Sequence, residues 1–306
     1  MYRSISLTLA TIALCACSQK EAAKDSASVA QSASPTAAHG FDPATHTATV
    51  HAKDFSFDAP DSVPAGWTTF HLINDGPNLH HVQIVRLDSG KTATDLEAAM
   101  KNPGPPPRWA AFVGGPNAPS PNASSDATLN LQAGNYVMLC LVDIPGKVPH
   151  FAKGMVRPFV VTAASGTPAA EPNADITLAL SDYKFDASGS SVTTEGGKTT
   201  IAAGNHTFKF VNSGPQPHEV EMVRLAPGKT MKDFADFMQK AYASDKLEGP
   251  PPGDALGGIA AAIPGITEYF TANLTPGNYF MICFVPDAKD GKAHSDHGMV
   301  KEFTVK

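Results

Sequence analysis

The chain has 306 residues, a length that accommodates two domains of ordinary size. Hydrophobic residues make up 42% of it and charged residues 17%, as in a folded globular protein. The formal net charge is -6 and no run of lysine and arginine stands out, which argues against nucleic acid as a partner.

The N-terminal segment predicts a bacterial lipoprotein signal peptide over residues 1–16. Arg3 supplies a positive charge, and residues 5–14 form an apolar core too short to span a bilayer as a mature helix. The following Leu14-Cys15-Ala16-Cys17 resembles a lipobox, in which the last cysteine, Cys17, is lipidated after cleavage in front of it. An ordinary signal peptide that contains cysteines is the alternative.

Residues 17–44 are mostly small and polar and predict a flexible tether. With the lipobox, the tether predicts an exported protein with a lipid anchor in a membrane, facing the periplasm or the cell exterior. Ser18 follows the lipidated cysteine, and by resemblance to known sorting patterns this favours the outer membrane if the cell has two membranes.

The rest of the chain repeats one unit twice. His80 and His218 are 138 residues apart, and the offset grows only to 144 residues between Met155 and Met299. Such a nearly constant offset is typical of a duplicated domain. We therefore expect one domain over residues 45–162, a linker rich in alanine, glycine and proline over 163–174, and a second domain over 175–306.

Each unit begins with short, alternating strands separated by glycine and proline turns, which predicts an all-β sandwich. A short helix is expected after each histidine strand. In the first unit Thr94 and Glu97 have the spacing of a capping box, and in the second unit a helix is expected after Thr230. Proline runs at 105–107 and 250–252 follow, and each leads into a long loop to which the sequence assigns no role.

Four cysteines occur in the chain. Cys15 leaves with the signal peptide and Cys17 carries lipid, so only Cys140 and Cys283 remain for the folded part. A disulfide between them would have to join two domains at equivalent positions, although exported proteins usually use cysteines in this way. A role as metal ligand explains the single cysteine in each unit better than a disulfide does.

The same four residue types recur in the same order in both units. A histidine follows an Asn-x-Gly turn, a cysteine ends a Gly-Asn-Tyr strand, and a histidine and a methionine follow the cysteine. Two imidazoles, a thiolate and a thioether are the ligand set of a type 1 copper site. The candidate ligands are His80, Cys140, His150 and Met155 in the first unit, and His218, Cys283, His294 and Met299 in the second. The neighbouring His81 and His297 are competitors, but neither is repeated.

These motifs resemble the cupredoxin family, and Pro217-His218-Glu219-Val220 is similar to the plastocyanin-type histidine strand. The resemblance implies two tandem cupredoxin-like Greek-key β-sandwiches, each with a short helical insertion and each binding one copper ion. Nine and ten residues separate each cysteine from the next histidine. That spacing exceeds the loop of small blue copper proteins and resembles the loop of copper nitrite reductases.

The function expected from these features is electron transfer by a membrane-tethered protein with two type 1 copper sites. Its partner would be a redox protein. The alternatives are storage or delivery of Cu(I), with a copper donor or acceptor as partner, and a metal-free interaction module. A multicopper enzyme is not expected, because the chain has no His-x-His pair and no histidine next to either cysteine in sequence.

Overall fold

The structure is a computed structural model that describes residues 40–101, 104–164, 166–244 and 246–306. The predicted signal peptide, Cys17 and most of the predicted tether lie outside these residues. Within the described part, no helix combines the length and the apolar character that a membrane crossing requires.

The described residues within 40–162, here called the first half, form ten strands and one α-helix. The strands are β1 (Phe41–Asp42), β2 (Thr47–Lys53), β3 (Ser56–Asp58), β4 (Ser62–Pro64), β5 (Gly66–Asn74), β6 (Gln83–Leu87), β7 (Ala110–Phe112), β8 (Ser124–Leu131), β9 (Gly134–Leu139) and β10 (Val156–Thr162). Helix α1 spans Ala93–Met100, and a 3₁₀ helix spans His150–Lys153. Strand β1 lies inside the range expected to be tether, because Phe41 pairs with Ala48 of β2.

Residues 175–306, the second half, repeat this element order with a longer helix. The strands are β11 (Ile176–Ser181), β12 (Lys184–Gly189), β13 (Val192–Glu195), β14 (Lys198–Ile201), β15 (Gly204–Asn212), β16 (His218–Leu225), β17 (Gly253–Ala262), β18 (Thr267–Leu274), β19 (Gly277–Ile282) and β20 (Val300–Val305). Helix α2 spans Met231–Ala243, and a second 3₁₀ helix spans His294–His297.

The strands form one large sheet and two smaller ones. The large sheet runs β1-β2-β5-β8-β18-β15-β11-β12, with β3 paired to β2. In the first half it packs on the sheet β4-β10-β9-β6-β7, and in the second half on β13-β14-β20-β19-β16-β17. The edge-to-face contact of Phe70 with Phe159, 6.0 Å between ring centroids, is typical of this core. The predicted fold class, two cupredoxin-like Greek-key β-sandwiches with a short helix in each, is confirmed.

The two halves are joined by backbone pairing, in a contact that we call the seam. Strand β8 pairs antiparallel with β18, with Leu129 opposite Glu268. Residues 113–119 lie along β17 through isolated bridges, such as that of Val113 with Ala262. The long loops to which the sequence assigned no role therefore supply much of the seam.

Each α-helix covers the outer face of its smaller sheet. Leu96 of α1 is buried against β6 and β9, and Phe234 of α2 packs on Phe280 of β19 at 4.7 Å between ring centroids. These strands are therefore buried on both faces, which explains their nearly continuous apolar sequence. The capping box of α1 is formed by Thr92 and Asp95. The prediction of Thr94 and Glu97 was wrong, because the helix begins two residues earlier than their spacing required.

The seam buries the carboxyl group of Glu268. Its Oε2 accepts a hydrogen bond from the Gly115 amide across the seam at 3.1 Å, and the side chain is inaccessible to solvent. Burial raises the pKa of Glu268 well above its ordinary value, because the loss of hydration outweighs the hydrogen bond from the Gly115 amide. The folded protein therefore favours the protonated, neutral carboxyl group.

Replacement of this carboxyl should change how stability depends on pH. With a raised folded-state pKa, the contribution of Glu268 is fully present at low pH and is lost as pH rises through that pKa. We expect Glu268→Gln to match the wild type in acid and to be more stable above neutral pH by about 1–3 kcal/mol. Urea unfolding across the pH range measures this, with the exposed Glu302→Gln as control. Identical pH profiles for wild type and Glu268→Gln would contradict the assignment.

Candidate metal centres

In each half, the neighbouring strands of the smaller sheet bring a histidine and a cysteine to the same end. Cys140 directly follows β9, whose Leu139 pairs with Gln83 at the start of β6, just after His80. In the second half Cys283 directly follows β19, and His218 begins the adjacent strand β16. The 3₁₀ helix that follows each cysteine starts with the second histidine of its centre.

Three of the predicted ligands converge in each half. In the first centre the Nδ1 atoms of His80 and His150 are 3.1 Å apart, and Cys140 Sγ lies 3.5 Å from His150 Nδ1. The second centre, formed by His218, Cys283 and His294, repeats these distances at 3.1 Å and 3.4 Å. In both centres the three donor atoms lie within 4.8 Å of one another, and all six side chains are fully buried.

An aspartate fixes the orientation of the first histidine of each centre. His80 Nε2 lies 2.8 Å from Asp54 Oδ1, and His218 Nε2 lies 3.1 Å from Asp182 Oδ1. A carboxylate only accepts, so each Nε2 carries the hydrogen and each Nδ1 presents its lone pair to the centre. Asn78 donates to the other oxygen of Asp54 at 2.9 Å, and the second half has a corresponding amide contact to Asp182.

The Asn-x-Gly turn brings the backbone directly against this histidine. The side-chain oxygen of Asn74 accepts from the Gly76 amide at 3.1 Å, and Asn212 does the same for Gly214 at 2.9 Å. A Cβ on Gly76 would lie 2.7 Å from His80 Nε2, closer than a methyl group can approach. Position 76 therefore requires glycine, because the side chain of any other residue would collide with the His80 ring.

Backbone hydrogen bonds close the loop that carries the second histidine and the methionine. The Met155 amide donates to the carbonyl of His150 at 3.1 Å, and the Cys140 amide donates to the carbonyl of Met155 at 3.3 Å. The same bonds recur in the second half, where Met299 takes the place of Met155. Both methionines are fully buried in the core cluster that contains the two cysteines. Each loop is thus tied at both ends to its centre.

Burial sets the protonation of the donor groups. Desolvation lowers the pKa of His150 and of His218 to about 4, and it also lowers the pKa of His80 and His294. The imidazoles are therefore neutral at physiological pH, the form that binds metals. Burial raises the pKa of the Cys140 thiol to about 12, so without a metal the thiol keeps its proton. Metal binding at this centre would release that proton.

The donor set fits copper. Both cysteines are free thiols, so neither is used in a disulfide. A sulfur and two imidazole nitrogens that already converge in a dry site suit a soft or borderline metal better than Mg²⁺ or Ca²⁺, which require oxygen ligands. A buried methionine lies on the same loop, and a methionine thioether is one of the ligands of a type 1 copper site.

The surroundings of the second histidine differ between the centres. In the first, Phe55 contacts the His150 ring edge-on at 5.2 Å, and Lys153 lies over Phe55. In the second, Tyr183 contacts the His294 ring at 5.6 Å and donates its hydroxyl to Asp287. The second centre therefore has a buried carboxylate 3.9 Å from His294 Nε2, where the first has a cation nearby.

Sequence reasoning missed the two Asp-aromatic pairs. Asp54-Phe55 and Asp182-Tyr183 occupy equivalent hairpins, between β2 and β3 and between β11 and β12. Both aromatic residues have a φ of 63°, a conformation that bulky side chains rarely adopt. Their recurrence after the first long strand of each half was a signal that could have found them, although their offset differs from that of the histidines.

The competing histidines do not join the converging donors. His81 Nε2 accepts a hydrogen bond from the Leu141 amide at 2.8 Å, and its Nδ1 faces Asn117. His297 pairs with Asp290 at 3.2 Å near the protein surface.

Comparison with known proteins places copper proteins among the similar structures. A dithionite-reduced auracyanin from the photosynthetic bacterium Roseiflexus castenholzii is 22% identical, covers 39% of this chain and 98% of its own, and has a TM-score of 0.28. A multicopper oxidase is 13% identical over 85% of this chain and 88% of its own, with a TM-score of 0.23. A copper-containing nitrite reductase from Thermus scotoductus is 13% identical over 85% of this chain and 61% of its own, with a TM-score of 0.24. No family model and no curated protein matches the chain.

This comparison contradicts the prediction that the chain is not an enzyme. The structures that are similar over 85% of the chain include an oxidase and a reductase, so the prediction is wrong. The prediction rested on the absence of a His-x-His pair and of a histidine next to either cysteine in sequence. In the folded chain, His81 comes from the segment before β6 and accepts a hydrogen bond from the amide of Leu141, the residue that follows Cys140. Sequence adjacency was therefore a poor guide to what surrounds the cysteine.

Removal of the aspartate beside one histidine should weaken that centre alone. Asp54→Ala deprives His80 of the group that fixes its tautomer, and we expect copper affinity at the first centre to fall about 10–100-fold. Asp54→Asn, which can still accept a hydrogen bond from His80, should lower the copper affinity less. Competition with a chelator, in a Cys283→Ser background that leaves only the first centre, measures the change. The matched control is Asp182→Ala in the same background, and an equal loss there would show a general effect on folding.

Proposed function

We propose that the protein binds one copper ion in each half, at two type 1 centres, and transfers single electrons. The ligands at the first centre are His80, Cys140, His150 and Met155. The ligands at the second are His218, Cys283, His294 and Met299. Bound copper supplies one-electron chemistry between Cu(II) and Cu(I).

The observation that carries the proposal is the same convergence of three donor atoms in both halves. In each half two imidazole Nδ1 atoms 3.1 Å apart lie beside a buried free thiol. A packed core does not require two buried imidazole nitrogens to face each other in this way, and a shared metal ion explains it. The repetition makes a chance arrangement a poor explanation, because each element of it would have to occur twice.

The protein contributes rigidity and a dry environment. Strand pairing fixes the first histidine against the cysteine, and the loop hydrogen bonds fix the second histidine and the methionine. Full burial of the donors excludes water, which would otherwise compete as a ligand. Donors that hold their positions in both oxidation states suit fast electron transfer.

Copper titration of the protein with single cysteine variants tests the proposal. We expect two copper ions per chain and an intense thiolate-to-copper absorption band in the visible region. Cys140→Ser and Cys283→Ser should each remove one ion and about half of the band, because the hydroxyl of serine is not a soft ligand. Electron paramagnetic resonance of the two variants then reports each remaining centre separately.

Other outcomes distinguish the alternatives. A colourless protein that binds Cu(I) tightly and cannot be cycled would favour copper storage or delivery. A protein that binds neither oxidation state would favour a metal-free interaction module. Retention of the full band in either serine variant would contradict the assignment of that cysteine.

We also propose that the chain is exported and anchored by lipid on Cys17, with its partner a redox protein outside the cytoplasmic membrane. Cys17→Ser should move the protein from the membrane fraction to the soluble fraction of the producing cell. Mass spectrometry should find lipid on the wild-type chain only. Cys15→Ser is the matched control and should leave the protein with the membrane.

A further inference from the structure

The seam carries a buried polar connection between the two centres. His81 directly follows His80, and Glu219 directly follows His218, so these residues are equivalent in the two halves. His81 accepts a hydrogen bond from the Leu141 amide at 2.8 Å, and Glu219 accepts one from the Phe284 amide at 2.7 Å. Each side chain therefore links the segment that carries the first histidine of its centre to the residue that follows the cysteine.

The partners of His81 fix its tautomer. Because the Leu141 amide donates to Nε2, that nitrogen carries no hydrogen, and Nδ1 must carry it. Nδ1 then donates to Asn117 Oδ1 at 3.3 Å. His81 is 5% exposed, so water does not replace these two contacts.

Asn117 belongs to the first half and reaches into the second. Its Nδ2 donates to the carbonyl of Val220 at 3.2 Å and to that of Ile259 at 3.4 Å. The next amide, of Ala118, donates to Glu221 at 3.1 Å. The asparagine is 4% exposed, so water does not replace these contacts.

Two hydrogen bonds thus join the backbone that carries His80 to the backbone that carries His218. The route runs from the His81 ring to the Asn117 amide and from that amide to the carbonyl of Val220, two residues after His218. Electronic coupling decays less through covalent and hydrogen bonds than across gaps. A short, buried and continuous route is what electron passage between two fixed sites requires.

We propose that His81 and Asn117 form an electron-transfer bridge between the two metal centres, so that an electron received at one centre passes to the other inside the protein. The proposal rests on the proposed function, because it requires copper in both halves. The exchange moves one electron, so that Cu(I) at one centre is oxidised as Cu(II) at the other is reduced. No bond forms or breaks, and each hydrogen of the bridge stays on its donor.

The test measures intramolecular electron exchange in the copper-loaded protein. A Met299→Gln background replaces the thioether that would bind copper at the second centre, and this would give the two centres different potentials and spectra. A photoreductant delivers one electron per chain, and the redistribution that follows is intramolecular if its rate does not depend on protein concentration. Copper content and both absorption bands are recorded first for every variant.

The bridge variants are His81→Leu and Asn117→Leu. Each should slow the redistribution, because leucine can neither donate nor accept a hydrogen bond and leaves a gap in the route. His81→Gln should keep most of the rate, because its amide can accept from the Leu141 amide and donate to Asn117. Gln83→Met is the matched control, since Gln83 donates across the same seam to the carbonyl of Ala261 at 2.8 Å but lies outside the bridge.

A second readout needs no metal. In the copper-free protein the Leu141 amide should exchange slowly with deuterium, and His81→Leu should accelerate that exchange while leaving the Phe284 amide protected. Unchanged protection of Leu141 in this variant would show that His81 does not accept this hydrogen bond, and would overturn the tautomer on which the bridge depends.

The outcomes separate the inference from the proposed function. Slower redistribution in both leucine variants, but not in Gln83→Met, supports the bridge. An unchanged rate of redistribution in the leucine variants, with both copper bands intact, overturns the bridge. It does not contradict the proposal of two copper centres. Equal slowing in Gln83→Met also overturns it, since general packing of the seam would then control the rate. Absence of two copper bands in the wild type overturns both the bridge and the proposed function.

Discussion

The hydrogen bond from a buried histidine to an aspartate determines the chemistry of each centre. Because Asp54 and Asp182 hold the hydrogen of their histidines on Nε2, the opposite nitrogen faces the neighbouring histidine and cysteine. Without this contact a buried imidazole could present either nitrogen. The β2–β3 hairpin that carries Asp54 also carries Phe55, which covers the second histidine. One hairpin per half therefore orients one histidine and shields the other.

The seam imposes the second constraint. It buries carboxyl groups, an amide and an imidazole between the halves, and each buried polar group must find a partner or become neutral. Glu219, whose pKa burial raises to about 7, accepts the Phe284 amide, and Asn117 uses both ends of its amide. Such a polar contact specifies one alignment of the halves, because a shift of register would leave these groups unpaired.

The sequence predicted the all-β fold and the residues that converge, because the strands alternate and the candidate ligands recur in register. It could not predict Asn117, which is not repeated and contacts Val220 more than a hundred positions away. Strand β17 was also missed, because its alanine- and glycine-rich sequence has low strand propensity and forms a strand only when paired with β16. The capping residues of α1 were misplaced because Thr92 and Thr94 are both followed three residues later by an acidic residue.

The large sheet has a mechanical consequence. Tandem modules on a linker usually pivot about it, but here β8 and β18 make the halves parts of one continuous sheet. The molecule therefore cannot open and close like a hinge without breaking strand pairing. Production of either half alone would leave β8 or β18 as an unpaired edge strand, open to pairing with other chains. A docking partner therefore meets two halves that are held in one fixed alignment by strand pairing.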